Sequence, residues 1–296
     1  MVRQRFDWLN FKTIRRYGIY SLLSVIVAMG IGLGTPLLSQ AAPRWSDLLF
    51  QGIQILQIST ISDRQEVELG QEINQQLLRR GEVRIYRDRG LSAYVNRVGQ
   101  RLVPNSDRPN IPYTFQVVND KSVNAFATMG GFVYVNLGLI QTADNEAQLA
   151  SVISHEMGHI GSRHAIKQMR EAAIAQGVAA AAGVNRNILV NIGVDLAITK
   201  PTSRQNEFEA DEKGLVTLTR TGYAPGAMVD FMKKLLKLGG STPAFLSTHP
   251  STADRIVALE KAISPAKAYV GDGLDRQVYR NSIQALAAPQ DLLASH

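Results

Sequence analysis

Residues 154–159 read Ser-His-Glu-Met-Gly-His, and no other stretch restricts the chain so tightly. Leu149, Val152, Ile153, Met157 and Ile160 recur at helical spacing around it, so a helix starting near Thr142 is expected to lay one apolar stripe on a core. At 3.6 residues per turn, His155 and His159 stand one above the other at the edge of that stripe and can reach a common point in a cleft. Glu156 is rotated by about 100° from His155, too far to join the pair easily but placed to hold a water beside it. Gly158 falls on the opposite face, where a neighbouring segment can approach closely.

Two imidazoles and a carboxylate so disposed are the parts a zinc hydrolase carries on one helix: two ligands and a base. The chain has five histidines and no cysteine, which excludes disulfides and thiolate metal sites. Any zinc is therefore held by His and Asp/Glu, the ligand set of catalytic rather than closed structural sites. The best third ligand is Glu207, in Arg204-Gln205-Asn206-Glu207-Phe208-Glu209-Ala210-Asp211. Glu207, Asp211, Gly214 and Leu218 form one helical row, and the two like charges four apart are mildly destabilising in a bare helix unless a cation lies near them. Asp211 is placed to accept the free N–H of a metal-bound histidine. Gly214 lets this second helix lie close to the first. Glu209 is the reserve ligand, and the plain alternative is a solvated acidic face with Glu209 paired to Lys213. His164 is expected to cap or pack rather than to bind metal.

A chain of 296 residues with 45% hydrophobic content can bury a sizeable core and reads as one domain with appendages. Residues 1–41 resemble a secretory signal peptide: Arg3, Arg5, Lys12, Arg15 and Arg16, an apolar run to Leu38, then small residues before a cut after Ala41. An uncleaved membrane anchor is the alternative, and either form exports residues 42–265, the catalytic domain, and 266–296, a C-terminal extension. The leader holds four of the seven net positive charges, and the body has no basic run, which argues against a nucleic-acid partner.

The fold expected is α+β and mainly α-helical. Helices are predicted in Asp47–Arg80, the second part capped by Ser62, and from Ser92 to Leu102. Tyr113 to Val117, Ala125 to Ala127 and Phe132 to Val135 predict a small antiparallel sheet of three strands that leads into the His155 helix. An edge strand at Gly131, Phe132, Val133 and Tyr134 is expected to hold an extended peptide through backbone hydrogen bonds.

The combination of Asn124-Ala125-Phe126, Gly130-Gly131 with its strand, His155-Glu156-x-x-His159, Glu207-Phe208-x-Ala210-Asp211 and Thr248-His249-Pro250 resembles family forty-eight of the metallopeptidases. These are gluzincins, which include the type 1 CAAX prenyl, HtpX-like and BepA-like proteases. The resemblance covers Glu66 to Ala262 and implies a zincin-like fold with one Zn2+ per chain on His155, His159 and Glu207. It implies Glu156 as base, Asp211 as support for a histidine, and His249 over the metal, either donating to the oxyanion or occupying the open position. The implied activity is hydrolysis of peptide bonds in unfolded or misassembled envelope proteins, in the periplasm or an equivalent compartment, with membrane association through the N-terminal segment. The lack of a set of transmembrane helices points to the soluble exported branch and away from prenylated substrates. The rival from another class is a zinc-containing chaperone or assembly factor that binds extended peptides without cutting them.

Overall fold

Ser62 caps the first described helix, as the sequence leads one to expect. In the computed structural model, which describes residues 60–175, 186–199, 203–238, 243–250 and 252–286, its hydroxyl accepts from Gln65 N while the Gln65 side chain accepts from Ser62 N. This reciprocal cap begins α1 (Asp63–Arg79), whose Leu69, Ile73 and Leu77 are buried. Asp88 caps α2 (Arg89–Leu102), and Pro104 follows its last turn. The helix predicted around Leu48 to Leu56 and the leader lie outside the described residues. No described helix is long and apolar enough to cross a membrane.

Three strands follow: β1 (Thr114–Val118), β2 (Ala125–Thr128) and β3 (Phe132–Asn136), in the spatial order β1-β3-β2. The sheet is mixed rather than antiparallel throughout, since β3 pairs antiparallel with β2 but parallel with β1. Gly130 and Gly131, both at positive φ (76° and 93°), make the tight β2–β3 turn. Asn119 to Asn124 is too long for a tight hairpin and instead carries the chain past the end of β3. There Lys121 O lies 2.0 Å from where a Cβ on Gly138 would stand, so the crossing needs glycine. β3 is consequently central and buried along its whole length.

A short helix, α3 (Leu137–Thr142), ends at Ala143, and Asn145 caps α4 (Glu146–Gly161) by accepting from Gln148 N. The helix with the two histidines thus starts later than its periodicity suggests. It also has no solvent-exposed face: Ala147 to Ile160 are all buried. Around it stand α5 (His164–Ala175), α6 (Arg186–Thr199), α7 (Arg204–Arg220) and α8 (Gly226–Lys237). Next come α9 (Ala244–Thr248), α10 (Thr252–Ala262) and α11 (Arg276–Leu286). The architecture is α+β and mainly helical. One apolar group joins α2, the sheet, α4 and α8, and a second lies between α1, the sheet, α5 and α6. The described part of the stretch expected as a C-terminal extension, up to residue 286, packs on the first group: Tyr279 is buried and donates its hydroxyl to Ile140 O.

Candidate metal centre and active site

α7 lies directly on α4 because two glycines remove the side chains that would hold them apart. A Cβ on Gly158 would stand 2.5 Å from Ala210 O, and one on Gly214 would stand 3.0 Å from His155 Cα and N. With backbones this close, Glu207 on the first turn of α7 reaches the histidine pair on α4. His155 Nε2 and His159 Nε2 are 3.1 Å apart. Glu207 lies 3.5 Å from the first through Oε2 and 3.3 Å from the second through Oε1. His249, on the loop after α9, adds Nδ1 at 3.3 Å from His155 Nε2 and 3.2 Å from both Glu207 oxygens.

These four residues are buried and offer one donor atom each, all within 4.8 Å of one another. A tetrahedral ion with donors at about 2.0–2.1 Å has donor–donor edges of about 3.3–3.4 Å. Five of the six spacings, with Glu207 counted through whichever oxygen faces the partner, are 3.1 to 3.5 Å and match that figure. Nitrogen and oxygen donors converging in a buried pocket fit a metal ion and have no comparable use as a packed core.

Each ligand candidate is oriented from behind. His155 Nδ1 is 2.9 Å from Asp211 Oδ1, so its proton is directed there and Nε2 is left with a lone pair. Asp211 in turn accepts from Arg255 Nε and Nη2 at 2.6 and 2.7 Å, and the same guanidinium donates to Glu207 Oε2 at 2.6 Å. His159 Nδ1 faces His164 Nδ1 at 2.8 Å. Glu156, one residue on from His155, is 1% exposed, with Oε1 3.4 Å from His249 Nε2. Neither of those two atoms has a hydrogen-bond partner, and both residues line a cleft of about 190 Å³.

The charges follow from these contacts. Burial pushes His155 down, but its hydrogen bonds to Asp211 and Glu207 outweigh that and leave it raised to about 9 without metal. Burial dominates at His159, which is pushed down to about 3. Burial alone would lift Glu207, yet His249 and the two α4 histidines hold it well below the usual carboxylate range. Burial likewise opposes ionisation of Asp211, and Arg255 and His155 overcome it. Glu156 has no such cation in hydrogen-bond contact, and burial raises it.

Residues 91–263 match the profile of peptidase family M48. The chain belongs to this family. It is 32% identical over 250 residues to the beta-barrel assembly-enhancing protease of Escherichia coli (strain K12), across 79% of this chain and 50% of that protein. The same protease of Yersinia pestis is 33% identical over 217 residues, across 67% of this chain and 44% of that protein. The mitochondrial metalloendopeptidase OMA1 of Schizosaccharomyces pombe is 31% identical over 184 residues, across 59% of this chain and 53% of that protein. The chain spans about half the length of the curated relatives it matches.

Within this M48 domain the structure brings together His155, Glu156, His159, Glu207, Asp211 and His249. Glu209, the reserve ligand, turns away and pairs with His164 and Lys213. Gly131, Phe132, Val133 and Tyr134 do not form the open edge expected of them. Phe132 to Tyr134 are paired with β1 on one side and β2 on the other, so their backbone groups are already used. The edge strand on the side of the cleft is β2. Asn136 N donates to Asn124 O, which sets the alternation so that Ala125 and Ala127 direct their N–H and C=O away from β3. Ala127 lines the cleft. Arg255 and His164 were not legible as parts of the site: neither occupies a ligand spacing, and only the turn before α5 and the packing of α10 bring them in.

Proposed function

We propose that the chain is a zinc metalloendopeptidase that cuts extended polypeptides laid along β2. The observation that carries the reading is His155 Nε2 and His159 Nε2 3.1 Å apart, with Glu207 Oε2 3.5 Å from the first and Oε1 3.3 Å from the second, beside the unpartnered Glu156 Oε1. When bound there, a zinc ion supplies a Lewis acid for the scissile carbonyl and lowers the pKa of a water to about 7. Glu156 Oε1 takes the proton of the attacking water and delivers it to the leaving amine. Ala127, part-exposed on the cleft, holds the substrate backbone in register by strand addition, which reads main chain and not sequence.

His249 serves as a latch in this reading. Its Nδ1, 3.3 Å from His155 Nε2, would be a fourth donor to a bound zinc, and its Nε2 faces Glu156, so it must swing out before water and substrate enter. The substrates we infer are unfolded or misassembled envelope proteins, met after export, and the name beta-barrel assembly-enhancing protease borne by a 32% identical relative supports that class. The test is Glu156→Gln measured against an unstructured protein such as casein. Cleavage should fall by at least about 10²-fold, while zinc stays near one per chain. Undiminished cleavage in the variant, or a wild type that binds casein and never cuts it, overturns the proposal.

A further inference from the structure

His159 directs Nε2 at Glu207 and His155, which leaves Nδ1 on the far side of the ring. The atom waiting there, 2.8 Å away, is neither a carboxylate nor a carbonyl oxygen but Nδ1 of His164. Two imidazole nitrogens at that distance share one proton between them. A ring that gives its Nε2 lone pair to a metal keeps its proton on Nδ1, so His164 Nδ1 is the acceptor. His164 must then carry its own proton on Nε2, and that nitrogen lies 3.3 Å from Glu209 Oε2. One choice at His159 fixes the tautomer of both rings.

We propose that His164 and Glu209 are positioning residues of the metal centre, holding His159 in its Nδ1–H tautomer through a relay of carboxylate, imidazole and imidazole. The proposal rests on the metal-ligand reading of His159. Asp211 gives His155 the same support in one step, at 2.9 Å. For His159 the support takes two steps because no acid on α7 comes closer to its Nδ1 face: Glu209, two residues beyond Glu207, points to the rim of the site and is bridged back by His164.

The chain is bent specifically to make this contact. On a continuous helix residue 164 would be rotated by about 140° from residue 159 and face away. Instead α4 ends at Gly161, and Arg163 adopts φ 54°, the left-handed conformation that L side chains avoid. Among the described residues it is the one non-glycine with positive φ. Its guanidinium holds the turn by donating to Glu66 Oε2 at 2.9 Å, Asp63 Oδ1 at 2.8 Å and Ile61 O at 3.0 Å. The reversal returns His164 beneath His159, where its side chain is 2% exposed.

The experiment uses the zinc-loaded full chain and three variants. Histidine nitrogen NMR on the wild type should show His159 as the Nδ1–H and His164 as the Nε2–H tautomer. Zinc release into a chelator should be about 10- to 100-fold faster in His164→Phe. It should be less affected in His164→Asn, whose side-chain oxygen keeps an acceptor near the Nδ1 position, and least in Glu209→Gln. Melting of the metal-free His164→Asn and Glu209→Gln proteins should match the wild type, which a purely structural role would not allow. His164 found in its Nδ1–H tautomer, or wild-type release from His164→Asn and His164→Phe alike, overturns the relay while one bound zinc in the wild type leaves the metal centre standing. Should His164→Phe not fold, the spectrum and His164→Asn decide. A wild type without zinc at His159 takes both readings down.

Discussion

Arg255→Met is the perturbation with the largest consequence outside the ligands. The side chain is 1% exposed, with Nε and Nη2 on the two oxygens of Asp211 at 2.6 and 2.7 Å and Nη1 on Glu207 at 2.6 Å. Methionine fills a similar volume and leaves two buried carboxylates without that cation. Removing one partner of a buried ion pair costs about 3–5 kcal/mol. In a domain of this size each kcal/mol lowers Tm by about 2–4 °C, so the metal-free variant should melt about 6–20 °C below wild type. A bound metal neutralises Glu207 by itself and leaves only Asp211 exposed to the loss, so metal should restore part of the difference. Arg255→Lys keeps the charge but not the fork and should fall between. Thermal unfolding of wild type and both variants followed by circular dichroism, with and without metal, gives all six numbers. A metal-free Met variant that melts within about 2 °C of wild type refutes the reasoning, because Glu207 and Asp211 would then be held by something other than Arg255.

Gly158→Ala places a methyl group 2.5 Å from Ala210 O. It should cost about 1–3 kcal/mol and weaken metal binding by moving Glu207 off the histidines; an unchanged urea midpoint with unchanged metal affinity contradicts the close-packing account. His155, raised to about 9 without metal, lies above its unfolded value of about 6.5. Its contribution is therefore fully present below pH about 6.5 and lost as pH rises through about 9, on the order of 3 kcal/mol. Denaturant unfolding of the metal-free protein should show this loss and the metal-loaded protein should not, since Nε2 is then occupied; equal slopes would falsify the assignment. His249→Ala should speed cleavage of casein if the imidazole is a latch, whereas a fall of about 10²–10³-fold identifies an oxyanion donor instead.

The parts of the site that repeat at helical spacing could be read from the chain. His155 and His159 four apart, Glu207 and Asp211 four apart, and Gly158 and Gly214 on the facing sides of two helices are all local patterns, and α4 and α7 place them as the patterns require. What could not be read depends on crossings between distant segments. The parallel pairing of β1 with β3 comes from a loop that passes over Gly138, and it moved the cleft-side edge from Gly131–Tyr134 to β2. α4 shows no exposed face because α7 and the sheet cover it from both sides, so its hydrophobic stripe understated its burial. Arg255 has the look of a solvated helix arginine until α10 is packed under α7. His164 is five residues from His159, a spacing that points away on a helix, and the left-handed turn at Arg163 that reverses it has no signature in the neighbouring sequence.

Anomalous diffraction at the zinc absorption edge, on crystals of the protein purified without chelator, tests the centre most directly. The account predicts one peak per chain, about 2.0–2.2 Å from His155 Nε2, His159 Nε2 and a Glu207 oxygen. A peak bound elsewhere, or none at these residues with Glu207 turned away from the two histidines, contradicts it.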